Sequence, residues 1–114
     1  MNIFRYETDG GKDLILDYID KLPRKEKALG YSIQEKLESD GVIALETLDT
    51  RQLKKKLWEI KFSKNRLMYV LEDSENLYIL HACRKQKGKA EQFELEKAIK
   101  RAKELGRELD KSFV

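Results

Sequence analysis

The sequence predicts one α+β domain that occupies all 114 residues. Apolar residues recur every three or four positions in two regions, as on the buried face of a helix, and every second position in the first predicted strand of the region 57–85. A chain of this length buries one core without disulfides or metal ions. We therefore expect an N-terminal strand and helical hairpin, an antiparallel sheet of about four strands, and a C-terminal helix.

The N-terminal third predicts a strand followed by two helices. Apolar and polar residues alternate before the turn-forming segment 8–11, which favours a short strand. Two runs at helical spacing flank Pro23, which is tolerated in a first turn, and Gly41 is a typical helix stop. Residues 42–53 are predicted to be a connection with a short helical turn around Leu45 to Leu48. The apolar positions are Ile3, Phe4 and Tyr6 in the strand, Leu14, Ile15, Tyr18, Ile19 and Leu22 in the first helix, and Leu29, Ile33 and Leu37 in the second.

Residues 57–85 predict a meander of three strands, followed by a helix. Trp58, Ile60 and Phe62 point to one side of the first strand, so Glu59 and Lys61 share the other side. Turns at residues 63–65 and 73–76 separate the strands. The last helix is amphipathic and is predicted to stop at Gly106. Its apolar residues are Leu95, Ala98, Ile99, Ala102 and Leu105.

Basic residues are concentrated in the middle of the chain. Residues 51–89 contain eleven Lys and Arg against four acidic residues, whereas the whole chain has a net charge of +3. Two basic clusters flank the predicted strands and favour an anionic partner such as nucleic acid. A charge run that only keeps the surface solvated is the alternative for Lys54 to Lys56. The clusters are Arg51, Lys54, Lys55 and Lys56 before the strands, and Arg84, Lys85, Lys87 and Lys89 after them.

Several side chains of this segment are candidates for phosphate chemistry. Arg66 opens a strand beside Lys61, and a guanidinium matches the oxygens of a phosphate, although a solvated turn arginine fits the sequence equally well. Glu59 is either a proton acceptor or the partner of a structural salt bridge to Lys61 or Arg66. His81 is the only histidine, and a structural role within the sheet is favoured over a role as a base.

The remaining side chains limit the chemistry available. Cys83 is the only cysteine, so a disulfide is excluded; a small buried side chain and a reducing, cytoplasmic location fit it best. One histidine and one cysteine do not make a usual transition-metal site, so no metal is expected. No apolar run reaches the ~20 residues of a membrane span. Trp58, Tyr69 and Tyr78 fit stacking on bases or core packing, and core packing is favoured for Trp58.

Three segments together resemble the RelE/ParE superfamily of type II toxins, and within it the HigB-like, phage Gp49-like branch. They are KLWEIKF at 56–62, RLMYVLED at 66–73 and LYILHACRKQKGKAEQFELEKAIKRAKEL at 77–105. The resemblance implies a small RelE-like fold. It also implies a toxin that cuts mRNA on the ribosome without a metal or other cofactor and is held inactive by a cognate antitoxin.

The same resemblance assigns roles to individual residues. Lys61, Arg66 and Lys85 are the catalytic candidates, with Glu59 as a further one; Arg66 and Lys85 would stabilise charge on the phosphate, and Lys61 or Glu59 would handle the proton. The expected partners are the ribosome and mRNA, a helix-turn-helix antitoxin encoded next to the toxin, and operator DNA bound through that antitoxin. The RNA-binding candidates are Lys54, Lys55, Lys56, Arg84, Lys87 and Lys89.

The sequence departs from the family pattern at the proton donor. A tyrosine that acts as an acid in some relatives corresponds to Phe93, Cys83 replaces a phenylalanine, and Gln86 interrupts a pair of lysines. Two other functions therefore stay open. One is a ParE-like, non-enzymatic toxin that poisons DNA gyrase, and the other is an RNA-binding module without activity.

Overall fold

The computed structural model describes residues 1–114 and contains five strands and three α-helices. The strands form one mixed sheet in the order β1-β5-β4-β3-β2, in which β1 is parallel to β5 and all other neighbours are antiparallel. The predicted α+β class is confirmed. In chain order the elements are β1 (Asn2–Arg5), α1 (Leu14–Asp20), α2 (Arg24–Asp40), a 3-10 helix (Gly41–Thr47), β2 (Asp49–Lys54), β3 (Leu57–Phe62), β4 (Asn65–Leu71), β5 (Asn76–Arg84) and α3 (Gly88–Leu109).

The sheet has five strands, one more than the four expected from the N-terminal strand and the three-stranded meander. The prediction that the sheet is antiparallel is wrong for β1, which is parallel to β5. The extra strand is β2, which lies in the segment predicted to be a connection. It is an edge strand with the sequence DTRQLK and no buried residue, so it carries no apolar alternation. The helical hairpin carries the chain from β1 at one edge to β2 at the other, and the meander then returns it to β5 beside β1.

Helices cover both faces of the sheet, so that each face has its own core. The hairpin α1–α2 covers the face that carries Ile60 and Leu67, whereas α3 covers the face that carries Leu57 and Val70, all of them fully buried. Each such side chain contributes roughly 1.5–3 kcal/mol by leaving water. None of the helices combines the length and the apolar character needed to cross a lipid bilayer.

Helix α3 continues beyond the predicted stop at Gly106. The helix ends at Leu109, and Asp110, with a left-handed φ of 54°, is its C-cap. Gly106 lies inside the helix because the C-terminal tail crosses it closely: a Cβ at this position would be 2.5 Å from the carbonyl oxygen of Lys111. The glycine thus lets the tail place Phe113, which is buried, against the core under α3.

Strand β5 contains a β-bulge at Leu80. Met68 of β4 pairs with His81, and the next residue, Tyr69, pairs with Ile79, so Leu80 has no partner across the ladder. Leu80 packs in the core under α3, and His81 contacts side chains of the same helix. The bulge therefore turns two consecutive residues of β5 toward α3.

A hydrogen-bonded network joins the helical hairpin to the end of the sheet. Asn65 is fully buried; its amide oxygen accepts from the hydroxyl of Tyr18 at 2.6 Å, and its amide nitrogen donates to Glu26 at 2.8 Å. Arg84 donates to the same Glu26 oxygen at 3.0 Å. Burial raises the pKa of Tyr18 to about 12, so the hydroxyl remains a donor. The network fixes the ends of β4 and β5, where the basic residues of the chain converge.

Candidate functional site

A cleft of about 300 Å³ lies between the sheet and the N-terminal half of α3. All four predicted catalytic residues, Glu59, Lys61, Arg66 and Lys85, line it. Lys61 pairs with Arg66 and Arg66 pairs with Cys83, so three neighbouring strands present Lys61, Arg66 and Cys83 on one face, and Lys85 directly follows the last of them. The predicted position of Arg66 beside Lys61 is confirmed. The other lining residues are Arg51, Leu53, Met68, Cys83, Arg84, Gln86, Lys87, Glu91, Glu94 and Leu95.

The three predicted catalytic cations of the cleft have no acidic partner. No carboxylate oxygen lies within 4.0 Å of the charged groups of Lys61, Arg66 or Lys85. The guanidinium of Arg66 donates instead to the backbone oxygen of Asn65 at 2.8 Å, which holds it at the start of β4. No carboxylate of the protein neutralises these charges, so all three attract an anionic group that enters the cleft.

Glu59 lies in the wall of the cleft, where Arg51 encloses its carboxylate. Its side chain is only 2% exposed, and Arg51 Nε lies 2.8 Å from its Oε2, although that oxygen has no aligned hydrogen-bond donor. Arg51 also contacts Glu91, at 3.1 Å from Oε1. The predicted salt bridge to Lys61 or Arg66 is therefore wrong: the partner of Glu59 is Arg51, which reaches it from the edge strand β2.

His81 forms a hydrogen-bonded chain between β5 and α3. Its Nε2 lies 2.6 Å from Glu94 Oε2, and its Nδ1 lies 3.0 Å from Arg101 Nη1, which also donates to the backbone oxygen of Leu80 at 2.8 Å. Because a guanidinium only donates, Nδ1 must accept, and the proton of the neutral ring is on Nε2. Burial and the nearby Arg101 lower the pKa of His81, although Glu94 opposes the shift. The predicted position of His81 within the sheet, away from the basic rim, is confirmed.

Glu94 projects from α3 into the cleft. Its side chain is 18% exposed, against 2% for Glu59. Burial by itself would raise the pKa of Glu94, but the hydrogen bond from His81 and the charge of Lys97 outweigh it, and the pKa is lowered. The carboxylate is therefore charged at neutral pH and is held in one orientation by the imidazole.

Cys83 is buried beside Glu94 and is not an activated thiol. Burial, together with the negative charge of Glu94, raises its pKa to about 12. The prediction of a small buried side chain is confirmed. At neutral pH such a thiol is protonated and is a poor nucleophile.

His81, Cys83 and Glu94 are close enough to be tested as a metal site. Their ligand atoms all lie within 4.8 Å of one another. The donor set nevertheless fits a metal poorly, since Arg101 occupies Nδ1 and leaves the proton on Nε2, the atom that would have to coordinate. Binding would also require removal of the proton from the Cys83 thiol.

The lysines at positions 54–56 lie away from the cleft. Lys54 ends β2, and Lys55 and Lys56 form the turn to β3, where Lys55 has a left-handed φ of 50° and the Lys56 N–H donates to the oxygen of Phe113 at 3.0 Å. The turn is separated from Lys61 by four residues of β3, or roughly 13 Å. Lys55 and Lys56 instead border a groove beside Trp58, on the face that the helical hairpin covers.

The second basic cluster borders the cleft more closely. Arg84 and Lys87 line it, whereas Lys89 is exposed in the first turn of α3 and does not. Arg84 is partly neutralised by Glu26, at 3.0 Å. Of the predicted RNA-binding residues, Lys87 is thus the one cation of the cleft without a carboxylate within 4.0 Å.

The aromatic side chains are not arranged as a platform beside the cleft. Tyr69 is buried in the core under the helical hairpin, and Trp58 packs against the same core. Tyr78 stacks on Phe4 with ring centroids 4.7 Å apart. Phe93, which occupies the family's tyrosine position, is 57% exposed, is covered by Lys97 and does not line the cleft.

Two features of the cleft were missed by sequence reasoning. The sequence places Arg51 in a basic cluster that favours an anionic partner, but in the structure it neutralises Glu59 and Glu91. Glu94 is a member of the cleft to which the sequence assigned no catalytic role. The available signal was its spacing, because Glu91, Glu94 and Leu95 follow the three-and-four pattern that places side chains on one face of a helix.

A family model places the chain among known sequences. Residues 17–103, more than half of the chain, match the model described as phage derived protein Gp49-like (DUF891). The chain belongs to the Gp49-like family. This family is part of the RelE/HigB-like toxin group, so the resemblance seen in the sequence is confirmed at the level of the family. Comparison with individual curated proteins gives no significant match.

Proposed function

We propose that this Gp49-like protein is the toxin of a type II toxin–antitoxin system that cuts mRNA on the ribosome without a metal ion. Membership of the Gp49-like family supports the role of a toxin, and it supports an antitoxin as the partner of this toxin. The observation that carries the nuclease activity is the cleft in which Lys61, Arg66 and Lys85 lie together without acidic partners.

The cleft has the charge that RNA cleavage needs. In the reaction the 2′-oxygen attacks the adjacent phosphorus, the bond to the 5′-oxygen breaks, and the products are a 2′,3′-cyclic phosphate and a 5′-hydroxyl. Negative charge accumulates on the phosphate oxygens before the leaving group departs. Arg66 offers a planar fork of donors to these oxygens, and Lys85 and Lys61 offer mobile ammonium groups. One of the two lysines supplies the proton that the 5′-oxygen takes up.

The size of the cleft suits a phosphate with its two flanking riboses, but not a folded RNA. A substrate strand must therefore be presented in an extended form. The ribosome holds mRNA in such a form, and the exposed lysines at 54–56 and 89 would contact RNA backbone outside the cleft.

Mapping of RNA 5′ ends after induction of the toxin tests the proposal. We expect new 5′-hydroxyl ends within translated messages, and none when translation is blocked. Arg66→Ala and Lys85→Ala should each abolish cleavage and growth arrest without weakening antitoxin binding. Arg107→Ala and Lys103→Ala, which remove exposed charges of α3 outside the cleft, are the matched controls and should behave as the wild type.

The same experiment separates the alternatives. Intact mRNA together with trapped gyrase–DNA complexes would show a gyrase poison. Intact mRNA with ribosome binding but no growth arrest would show an RNA-binding module. Full toxicity of both cleft variants would refute the roles of Arg66 and Lys85.

A further inference from the structure

The cleft contains three carboxylates, and only one of them is free to act on a substrate. Glu59 is 2% exposed and paired with Arg51. Glu91 is exposed, but it holds the same arginine from the other side, at 3.1 Å. Glu94 is partly exposed, and the only basic side chains within 4.0 Å of it are the buried, neutral imidazole of His81 and Lys97, at a loose 3.7 Å. The geometry thus singles out Glu94 among the acidic groups.

The elements around Glu94 hold it in place. From β5, His81 donates to Glu94 Oε2, and Cys83 lies beside the carboxylate. From α3 itself, Arg101 fixes the ring of His81 and is in turn fixed by the ring of Tyr6, 4.2 Å from its guanidinium carbon. Lys61 and Arg66 line the same cleft from β3 and β4. One carboxylate oxygen is therefore anchored, while the group as a whole borders the space that a phosphate would fill.

We propose that Glu94 is the catalytic base of the cleft and that His81 and Arg101 are positioning residues that act through it; this inference rests on the proposed ribonuclease function. Glu94 takes the proton of the 2′-hydroxyl as the 2′-oxygen bonds to phosphorus. The phosphorus–5′-oxygen bond breaks, and the 5′-oxygen takes a proton from the ammonium of Lys61 or Lys85. After product release the proton on Glu94 passes to solvent, and the lysine recovers its own from solvent.

This assignment moves the proton-accepting role away from Glu59. A base must come within hydrogen-bonding distance of the hydroxyl that it deprotonates, and a carboxylate enclosed behind Arg51 does not meet a substrate. Glu59 instead serves as the buried anchor that keeps Arg51 folded over the β2 side of the cleft. The two glutamates therefore have different roles because of their surroundings, not because of their chemistry.

Single-turnover cleavage of mRNA in programmed ribosomes, at saturating toxin, tests the role of Glu94. A positioned base contributes about 10²–10⁴-fold, so Glu94→Gln should slow cleavage at least about 100-fold. Binding to ribosomes whose mRNA carries a 2′-O-methyl group at the cleavage site should stay within about threefold of the wild type. Glu96→Gln removes an exposed charge of the same helix outside the cleft and is the matched control.

Chemical rescue separates a base from a structural carboxylate. Glu94→Ala leaves a space beside His81 that formate can enter. We expect added formate to restore cleavage by Glu94→Ala several-fold, and to leave the wild type and Glu96→Ala unchanged. Glu94→Asp keeps the carboxylate and should retain more activity than Glu94→Gln, so the question is answered even if the glutamine variant folds poorly.

A double-mutant cycle tests the positioning role of His81. His81→Asn removes the hydrogen bond to Glu94 and should slow cleavage by about tenfold in the wild-type background. In the Glu94→Gln background the same change should have almost no effect, because a residue that acts through Glu94 has nothing left to position. An equal effect in both backgrounds would show that His81 is only structural.

The outcomes distinguish this inference from the proposed function. If the wild type leaves ribosome-bound mRNA intact, the ribonuclease function fails, and this inference fails with it. If the wild type cuts and Glu94→Gln cuts at a similar rate, only the inference is overturned. Loss of activity in Glu94→Ala without formate rescue, accompanied by weakened ribosome binding, would also overturn it.

Discussion

Replacing Arg51 by alanine leaves a buried carboxylate without its counter-charge. Glu59 has a side chain that is 2% exposed, and Arg51 is its only cationic partner, at 2.8 Å. Removing one partner of a fully buried ion pair costs about 3–5 kcal/mol, but the side chain of Arg51 is 48% exposed, and alanine admits water to Glu59. We therefore expect a loss of about 2 kcal/mol in the free energy of unfolding, or about 10 °C in Tm for a domain of this size.

Urea denaturation and thermal melting of the wild type and four variants measure this loss. Glu59→Gln removes the buried charge and leaves Arg51 in contact with Glu91, so it should cost less than Arg51→Ala. The double variant Arg51→Ala/Glu59→Gln should be more stable than Arg51→Ala alone, because no buried charge remains. Arg107→Ala, the exposed control, should change stability by no more than about 0.5 kcal/mol. A Tm of Arg51→Ala within 2 °C of the wild type, or a double variant no more stable than Arg51→Ala, would refute the reasoning.

Three further predictions concern other parts of the molecule. Gly106→Ala should lower the free energy of unfolding, measured in urea, by about 1–3 kcal/mol, because the added Cβ would lie 2.5 Å from the carbonyl oxygen of Lys111. This clash should outweigh the ~1 kcal/mol by which alanine favours a helix over glycine. An increase in stability would contradict the close approach. The pKa of His81 is lowered in the folded chain by burial and Arg101, so the unfolded chain binds this proton first as the pH falls below about 6.5. Tm should then decrease as the pH is lowered from 7 to 5, and Tm of His81→Asn should decrease less over the same range. An equal decrease in both proteins would argue against a lowered pKa of His81. Replacing the three lysines at 54–56 by alanine should weaken the salt dependence of ribosome binding and leave cleavage of bound mRNA unchanged. In a plot of the logarithm of the binding constant against the logarithm of the salt concentration, the slope should fall by about 0.7 for each lost contact to single-stranded RNA. An unaltered slope would mean that these lysines only solvate the surface.

The sequence predicted those parts of the fold that are set by apolar periodicity. The helical hairpin and α3 each bury one face, so their apolar spacing is visible, and the strands β3 to β5, which are buried on both faces, appear as apolar runs between turns. β2 was missed because an edge strand without a buried residue has no such spacing. Gly106 was misread because a glycine needed for close packing looks the same in sequence as a glycine that ends a helix.

In the candidate site, too, the features that depend on local rules were predicted, and those that depend on the packing of elements were not. Strand parity and the hairpin turn placed Lys61 beside Arg66, since both rules act within a few residues. The partner of Glu59 was missed because β2, which pairs Arg51 with Glu59, shows no apolar alternation, and the position of Glu94 depends on how α3 packs against β5. Such contacts follow from the packing of the whole domain and leave no local pattern.

The extra residue in β5 makes the side chains of the second half of the strand face the other side of the sheet. In a regular strand His81 and Cys83 would share the side of Leu77 and Ile79, within the core under the helical hairpin. With Leu80 bulged, the first half of the strand supports one core, and the second half turns His81 and Cys83 to the opposite side. Relatives that lack the bulge would need a different residue at each of these positions to build the same cleft. Alignments across this point should therefore be judged by the face that each residue occupies, and a one-residue gap at position 80 is the change to look for.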